Sequence, residues 1–267
     1  YFELSGCEGT VPAGVWCDIT IDLYDQFGNA LGISDAGNLT WTTTNGNYSE
    51  ANQAYFPDHV GVWWLNLTSV SGASDELQIT VGHGAIDYLE LNASSTSITA
   101  DDRVYINTTR VDVRGNRLTV VLPADNWTKT SDGQLTPGAP ATWDPVKTGS
   151  KILEARYETT LTQITIDVAK GEIQTLRLEV DDVISTWAHF DLTADETLEA
   201  DVFAIDGKGN QWAIVVNWTL DHPTMGDSSS FLEALNGDST TFTPYFASDD
   251  PYTLTATYDG STTVHLV

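Results

Sequence analysis

The sequence predicts an all-β chain built as three tandem antiparallel β-sandwiches. Three observations carry this: a repeat near ninety residues, apolar positions that alternate, and no segment that keeps a helical period. The repeat is written in turn residues. It reads Asp25-Gln-Phe-Gly28-Asn29, Asp112-Val-Arg-Gly115-Asn116 and Asp206-Gly-Lys-Gly209-Asn210. Each copy follows an alternating strand and precedes a lone tryptophan (Trp41, Trp127, Trp218), then a proline (Pro57, Pro145, Pro244). Each segment closes on a β-rich run ending in valine (Val81, Val168, Val267). Fixed landmarks at a fixed period mark an array of like domains, here 1–84, 85–171 and 172–267. Segments of that length exceed the roughly 40-residue floor below which a domain needs staples.

The strands follow in order. Cys17, Ile19, Ile21 and Leu23 share one face of the first segment, with Asp18, Thr20 and Asp22 on the other. Leu153, Ala155 and Tyr157 repeat the pattern in the second. Leu198, Ala200, Val202 and Ala204, then Tyr252, Leu254, Ala256 and Tyr258, repeat it in the third. One apolar and one polar face is the pattern of an antiparallel sheet packed on a partner, and seven or so such strands make a sandwich. The Asp-x-x-Gly-Asn element reads as a tight turn out of a strand. Asp bonds the backbone two residues on, while Gly and Asn tolerate positive φ. It reads as a turn without a binding role. Trp41, Trp127 and Trp218 read as plugs between sheets, so the preceding Asn126 and Asn217 face outward.

Composition narrows the function. Hydrophobic residues make up 41% of the 267, enough for packed cores, and no apolar run approaches the ~18–20 residues that span a bilayer. No initiator Met or signal pattern opens the chain. The sequence is therefore read as a mature or excised piece of an ectodomain, with any anchor or functional tip outside it. A net charge of −27 excludes nucleic acid as a partner. The first segment has ten acids and no Lys or Arg, the second eleven acids and nine bases, the third seventeen acids and two bases. Adaptation to salt and binding of cations both remain open as causes of this acidity.

Cys7 and Cys17 flank a Gly- and Pro-containing loop that can bring them together, and a disulfide there would contribute about 2–3 kcal/mol. Seven asparagines stand in Asn-x-Ser/Thr: Asn38, Asn47, Asn66, Asn92, Asn107, Asn126 and Asn217. With the disulfide they point to an exported chain that can carry N-glycans.

The order Thr-Ala-Asp, strand, Asp-x-x-Gly-Asn, strand, closing β run resembles the bacterial immunoglobulin-like domains of invasin- and intimin-type adhesin stalks. Thr99-Ala100-Asp101-Asp102 and Thr193-Ala194-Asp195-Glu196 carry the first element, where the first segment has Pro12-Ala13-Gly14. After Gly-Asn the family usually places Pro, whereas this chain has Ala30, Arg117 and Gln211. The resemblance implies immunoglobulin-like sandwiches used as a stalk or adhesion module, and nothing in the chain matches the receptor-binding tip of such adhesins.

No catalytic constellation is legible. His59, His83, His189, His222 and His265 are scattered. No Gly-x-Ser-x-Gly elbow or phosphate loop occurs. The pairs Asp101-Asp102, Asp181-Asp182 and Asp249-Asp250 are sequence neighbours, which point to opposite faces of a strand. Connections at Gly82-His83-Gly84 and Lys170-Gly171 are short, so adjacent domains must touch. Arg103, Arg110, Arg114 and Arg117 are expected to face acids such as Asp75-Glu76 across the first junction. At the second junction, which lacks those cations, Glu172, Asp181, Asp182 and Asp206 form a candidate Ca²⁺ set. Trp64, with Trp143 and Trp187 as second choices, is a candidate exposed platform for a sugar or protein partner. The reading is a secreted or surface-attached, non-catalytic rod that acts as stalk or adhesion segment. The alternative is a carbohydrate-binding accessory region of a larger secreted protein. An enzyme with an unfamiliar carboxylate site between domains is a distant third.

Overall fold

The computed structural model describes residues 1–32, 38–129, 132–181, 183–185, 190, 192–193, 196–244, 248, 250–259 and 262–266. They form six sheets in three pairs. In the first sandwich one sheet has the order Phe2–Gly6, Cys17–Tyr24, Ala54–Phe56, Asn47–Ser49, with Ala30–Leu31 also on Cys17–Tyr24. Its partner has the order Thr10–Pro12, Ser74–Gly82, Gly61–Ser69, Leu39–Thr43. All these pairings are antiparallel except that Thr10–Pro12 runs parallel to Ser74–Gly82. The leading strand thus starts on one sheet and finishes on the other. That order and that switch are those of an immunoglobulin-like sandwich.

The second sandwich repeats the plan. Ile86–Ala93, Val104–Asp112, Ala141–Asp144 and Gln134–Thr136 form one sheet, with Arg117–Thr119 also on Val104–Asp112. Ser97–Thr99, Thr160–Ala169, Gly149–Tyr157 and Trp127–Lys129 form the other, again with a parallel pair at its edge. In the third, Leu198–Asp206 lies between Ile173–Val180 on one side and Gln211–Ala213 and Ser239–Phe242 on the other. Val216–His222 and Thr253–Tyr258 head the facing sheet.

Alternation became burial as the sequence required. Leu198, Ala200, Val202 and Ala204 are all buried, as are Leu153 with Ala155 and Leu254 with Ala256. Trp218 is a core plug whose indole N–H donates to the Gly237 carbonyl at 3.1 Å. Trp41 is half-buried and stacks on Tyr48 at 3.7 Å, while Trp127 packs between the two clusters that make up the second core. Trp143 corrects the sequence reading: it is fully buried on the strand Ala141–Asp144, beside Val104 and Leu135. Pro140 and Pro145 bracket that short strand. Cys7 and Cys17 form a disulfide with a Cα separation of 5.2 Å. It ties the switch point of the leading strand to the start of Cys17–Tyr24.

Candidate functional site

The three Asp-x-x-Gly-Asn turns are built alike. Gly28, Gly115 and Gly209 adopt φ of +83°, +81° and +82°, the left-handed region that glycine enters without a Cβ penalty. In each turn the aspartate Oδ1 accepts backbone N–H groups two and four residues on: Phe27 and Asn29 on Asp25, Arg114 and Asn116 on Asp112, Lys208 and Asn210 on Asp206. Its Oδ2 accepts the amide of the closing asparagine at 2.8, 3.0 and 2.8 Å respectively. The turn therefore fixes the asparagine side chain.

The second and third turns use that side chain to hold the preceding sandwich. Asn116 Nδ2 donates to the Asp58 carbonyl at 2.9 Å, and its Oδ1 accepts Val60 N–H at 3.2 Å. Asn210 Nδ2 donates to the Val146 carbonyl at 2.9 Å, and its Oδ1 accepts Thr148 N–H at 3.2 Å. Both loops start at the landmark proline (Pro57, Pro145) and offer the carbonyl one residue on and the N–H three residues on. The aspartates hold the connections as well. Gly84 N–H donates to Asp112 Oδ2 at 2.8 Å, and Gly171 N–H to Asp206 Oδ2 at 3.0 Å. The residue before each turn glycine also reaches back. Arg114 pairs with Asp58 and lies over the Phe56 ring at 5.1 Å, and Lys208 Nζ bonds Asp144 at 2.9 Å.

Burial matches these roles: Asp112 and Asp206 are 1% and 3% exposed. Burial opposes the charge of Asp112, but donors from Gly84, Asn116 and Arg114 outweigh it and hold its pKa below the ordinary carboxylate value. Asp206 is the same case, with Gly171, Asn210 and Lys208 as donors. The Lys208 ammonium lowers the pKa of Asp144 against burial, with Arg103 adding to it.

The turn is thus an interdomain clamp as well as a turn, which the sequence reading did not foresee. The signal was the asparagine itself, since the glycine suffices for the positive φ, yet all three copies place Asn after it. The charge-based reading of the first junction also needs correction. Among the described residues Arg114 alone of the four arginines makes an ion pair across it. Arg117 pairs with Glu90, Arg103 with Asp144, and Arg110 donates to the Gly84 carbonyl at 2.8 Å. Asp75 accepts Leu4 N–H at 2.7 Å inside its own sandwich. The second junction does have a cation, Lys208.

The candidate Ca²⁺ residues do not converge. Glu172 and Asp181 flank opposite ends of the strand Ile173–Val180, roughly 30 Å apart at 3.3 Å per residue. The Asp206 carboxylate already receives four hydrogen bonds, and Asp182 lies outside the described residues. Among the described residues no three His, Cys, Asp or Glu side chains stand together as a metal site.

Trp64 is 43% exposed on the outer face of the strand Gly61–Ser69, next to Val62 at 55%. Trp187 lies outside the described residues. The sequence reading passed over Trp16, which is exposed and rests on Phe56 with ring centroids 4.8 Å apart. Of the sequons, Asn38, Asn47, Asn92, Asn107 and Asn217 are exposed. Asn66 and Asn126 are half-buried, and Asn126 Nδ2 donates to the Arg156 carbonyl at 2.7 Å.

One hydroxyl–imidazole pair resembles a nucleophile and its base: Ser248 Oγ lies 2.8 Å from His222 Nε2. The other ring nitrogen, Nδ1, faces the N–H groups of Thr224 and Met225 at 3.2 and 3.3 Å, so it is the acceptor. The neutral ring then carries its proton on Nε2 and donates to Ser248, the wrong tautomer for a base.

No protein-family model and no curated protein matches the sequence. Among solved structures the chain is similar to the bacterial integrin-binding protein invasin, at 16% identity and TM-score 0.45 over 97% of this chain and 57% of that one. It is similar to the Escherichia coli adhesin FdeC at 12% identity and TM-score 0.47, over 100% and 96%. The D00-D0 domain of intimin matches at 14% and 0.34, over 64% of this chain and 100% of that one. The fold itself is read from strand order and register.

Proposed function

We propose that the chain is a non-catalytic stalk segment of a secreted or cell-surface adhesion protein, divided into units 1–84, 85–171 and 172–267. The supporting observation is the repeated junction: two clamps of the same construction, each joining a turn to the loop of the unit before it. Such a series transmits orientation from unit to unit, which a spacer needs and a string of independent binding modules does not. The recognised surface would be a protein or glycan outside the cell. The sequons at exposed positions and the disulfide fit an exported chain. Residual dipolar couplings test the reading. Amide vectors from all three units should fit one alignment tensor, and three independent tensors would refute a stiff stalk.

A second reading rests on Trp64. An exposed indole beside Val62 on an outer sheet face is the chemistry of a sugar platform, which would make the first unit a carbohydrate-binding module. A glycan array probed with the parent and Trp64→Ala decides it. Binding that vanishes in the variant supports the module, and an array silent for both removes it.

A further inference from the structure

We propose that the free end of the first unit, formed by Asp25, Phe27 and Asn29, is a docking face for an immunoglobulin-like unit on its N-terminal side. This rests on the stalk reading and adds the chemistry of the neighbour. The turn is preformed: its glycine φ and its Asp25 hydrogen bonds match those of the two turns that grip a preceding sandwich. A hairpin turn alone needs none of the asparagine's reach. Yet Asn29 is held by Asp25 in the pose that lets Asn116 and Asn210 take a carbonyl and an N–H from the loop in front of them.

The neighbour differs from the first and second units in one respect. Where Arg114 and Lys208 reach back to Asp58 and Asp144, the first turn presents Phe27, 79% exposed. A carboxylate opposite that ring would lose hydration and gain no cation. The unit that fits therefore carries the same proline-led loop with an apolar side chain in place of the acid.

The test extends the full chain. Tyr1 lies beside Tyr24 as Tyr88 pairs with Val111, each one residue before its aspartate, so a duplicate of residues 1–87 placed ahead of Tyr1 restores the strand register. Two forms are made, one with Asp58 kept in the duplicate and one with Asp58→Leu there. Hydrogen exchange is followed at Val60 N–H of the duplicate, the group that Asn29 Oδ1 would accept. The Leu form should exchange more slowly than the Asp form, and adding Asn29→Ala to it should speed exchange by about three- to tenfold, the worth of one hydrogen bond. Equal exchange with and without Asn29→Ala would overturn the docking face. Slower exchange in the Asp form would overturn the apolar neighbour. If the unextended parent instead forms oligomers that Asn29→Ala abolishes, the occupant is a second copy and the assignment to an N-terminal neighbour fails. Dipolar couplings on the unextended parent judge the stalk reading separately, since Asn29 lies at neither of its junctions.

Discussion

At the scale of single residues, the asparagines and tryptophans divide the work. Asn116 and Asn210 each contribute two hydrogen bonds to a junction and none to a core, so Asn116→Ala should leave the melting of each sandwich nearly unchanged. It should loosen the first junction by about 1–2 kcal/mol, read as faster exchange at Val60 N–H. Trp143→Ala should do the opposite and destabilise the second sandwich by about 3–5 kcal/mol in denaturant titration. Trp64→Ala, at an exposed site, should change stability by no more than about 0.5 kcal/mol. The role of Trp218 was legible because its strand alternates without interruption. That of Trp143 was hidden because two prolines leave only a four-residue strand around it. The clamp was hidden for a different reason: the partners of Asn116 and Asn210 are backbone groups, and a backbone carbonyl has no letter in a sequence.

At the scale of turns and connections, close approach and protonation set the junctions. A Cβ on Gly84 would overlap the backbone carbonyl of Ala13, whereas on Gly171 it would meet the Asp101 carboxylate, a side-chain end that can turn away. Gly84→Ala should therefore disturb its junction more than Gly171→Ala, judged by exchange at Val60 and Thr148 N–H. Arg114→Glu should change the first interdomain angle, while Arg117→Glu, whose partner Glu90 belongs to the same unit, should not. Asp112 and Asp206 have folded pKa values below the ordinary carboxylate value. Their contribution is fully present above that value and is lost as pH falls through the depressed one. Junction stiffness should accordingly hold through neutral and mildly acidic pH and fail only in stronger acid. Dipolar couplings recorded down the pH scale would show one tensor splitting into several, and a split near neutrality would implicate other groups. The turns and strands were readable in order because each depends on local chemistry. The clamps were not, since they join residues 56 to 64 positions apart.

At the scale of the whole molecule, the charge of −27 and the neutral clamps predict a divided response to salt. Raising salt from 0.1 to 1 M shortens the screening length from about 10 to 3 Å and relieves self-repulsion, so the melting temperature should rise. Shape should not follow. The clamps are hydrogen bonds between asparagine amides and backbone, and among the described residues the Arg114–Asp58 and Lys208–Asp144 pairs that accompany them are part-exposed and contribute little. The central claim is that Asn116 and Asn210 hold three sandwiches in a fixed series. Small-angle scattering of the parent and of the Asn116→Ala/Asn210→Ala double variant, in low and high salt, tests it most directly. The account predicts an elongated parent with one maximum dimension at both salts, and a variant whose distance distribution broadens while its sandwiches stay folded. A parent that is compact or changes dimension with salt, or a variant indistinguishable from it, would contradict the claim.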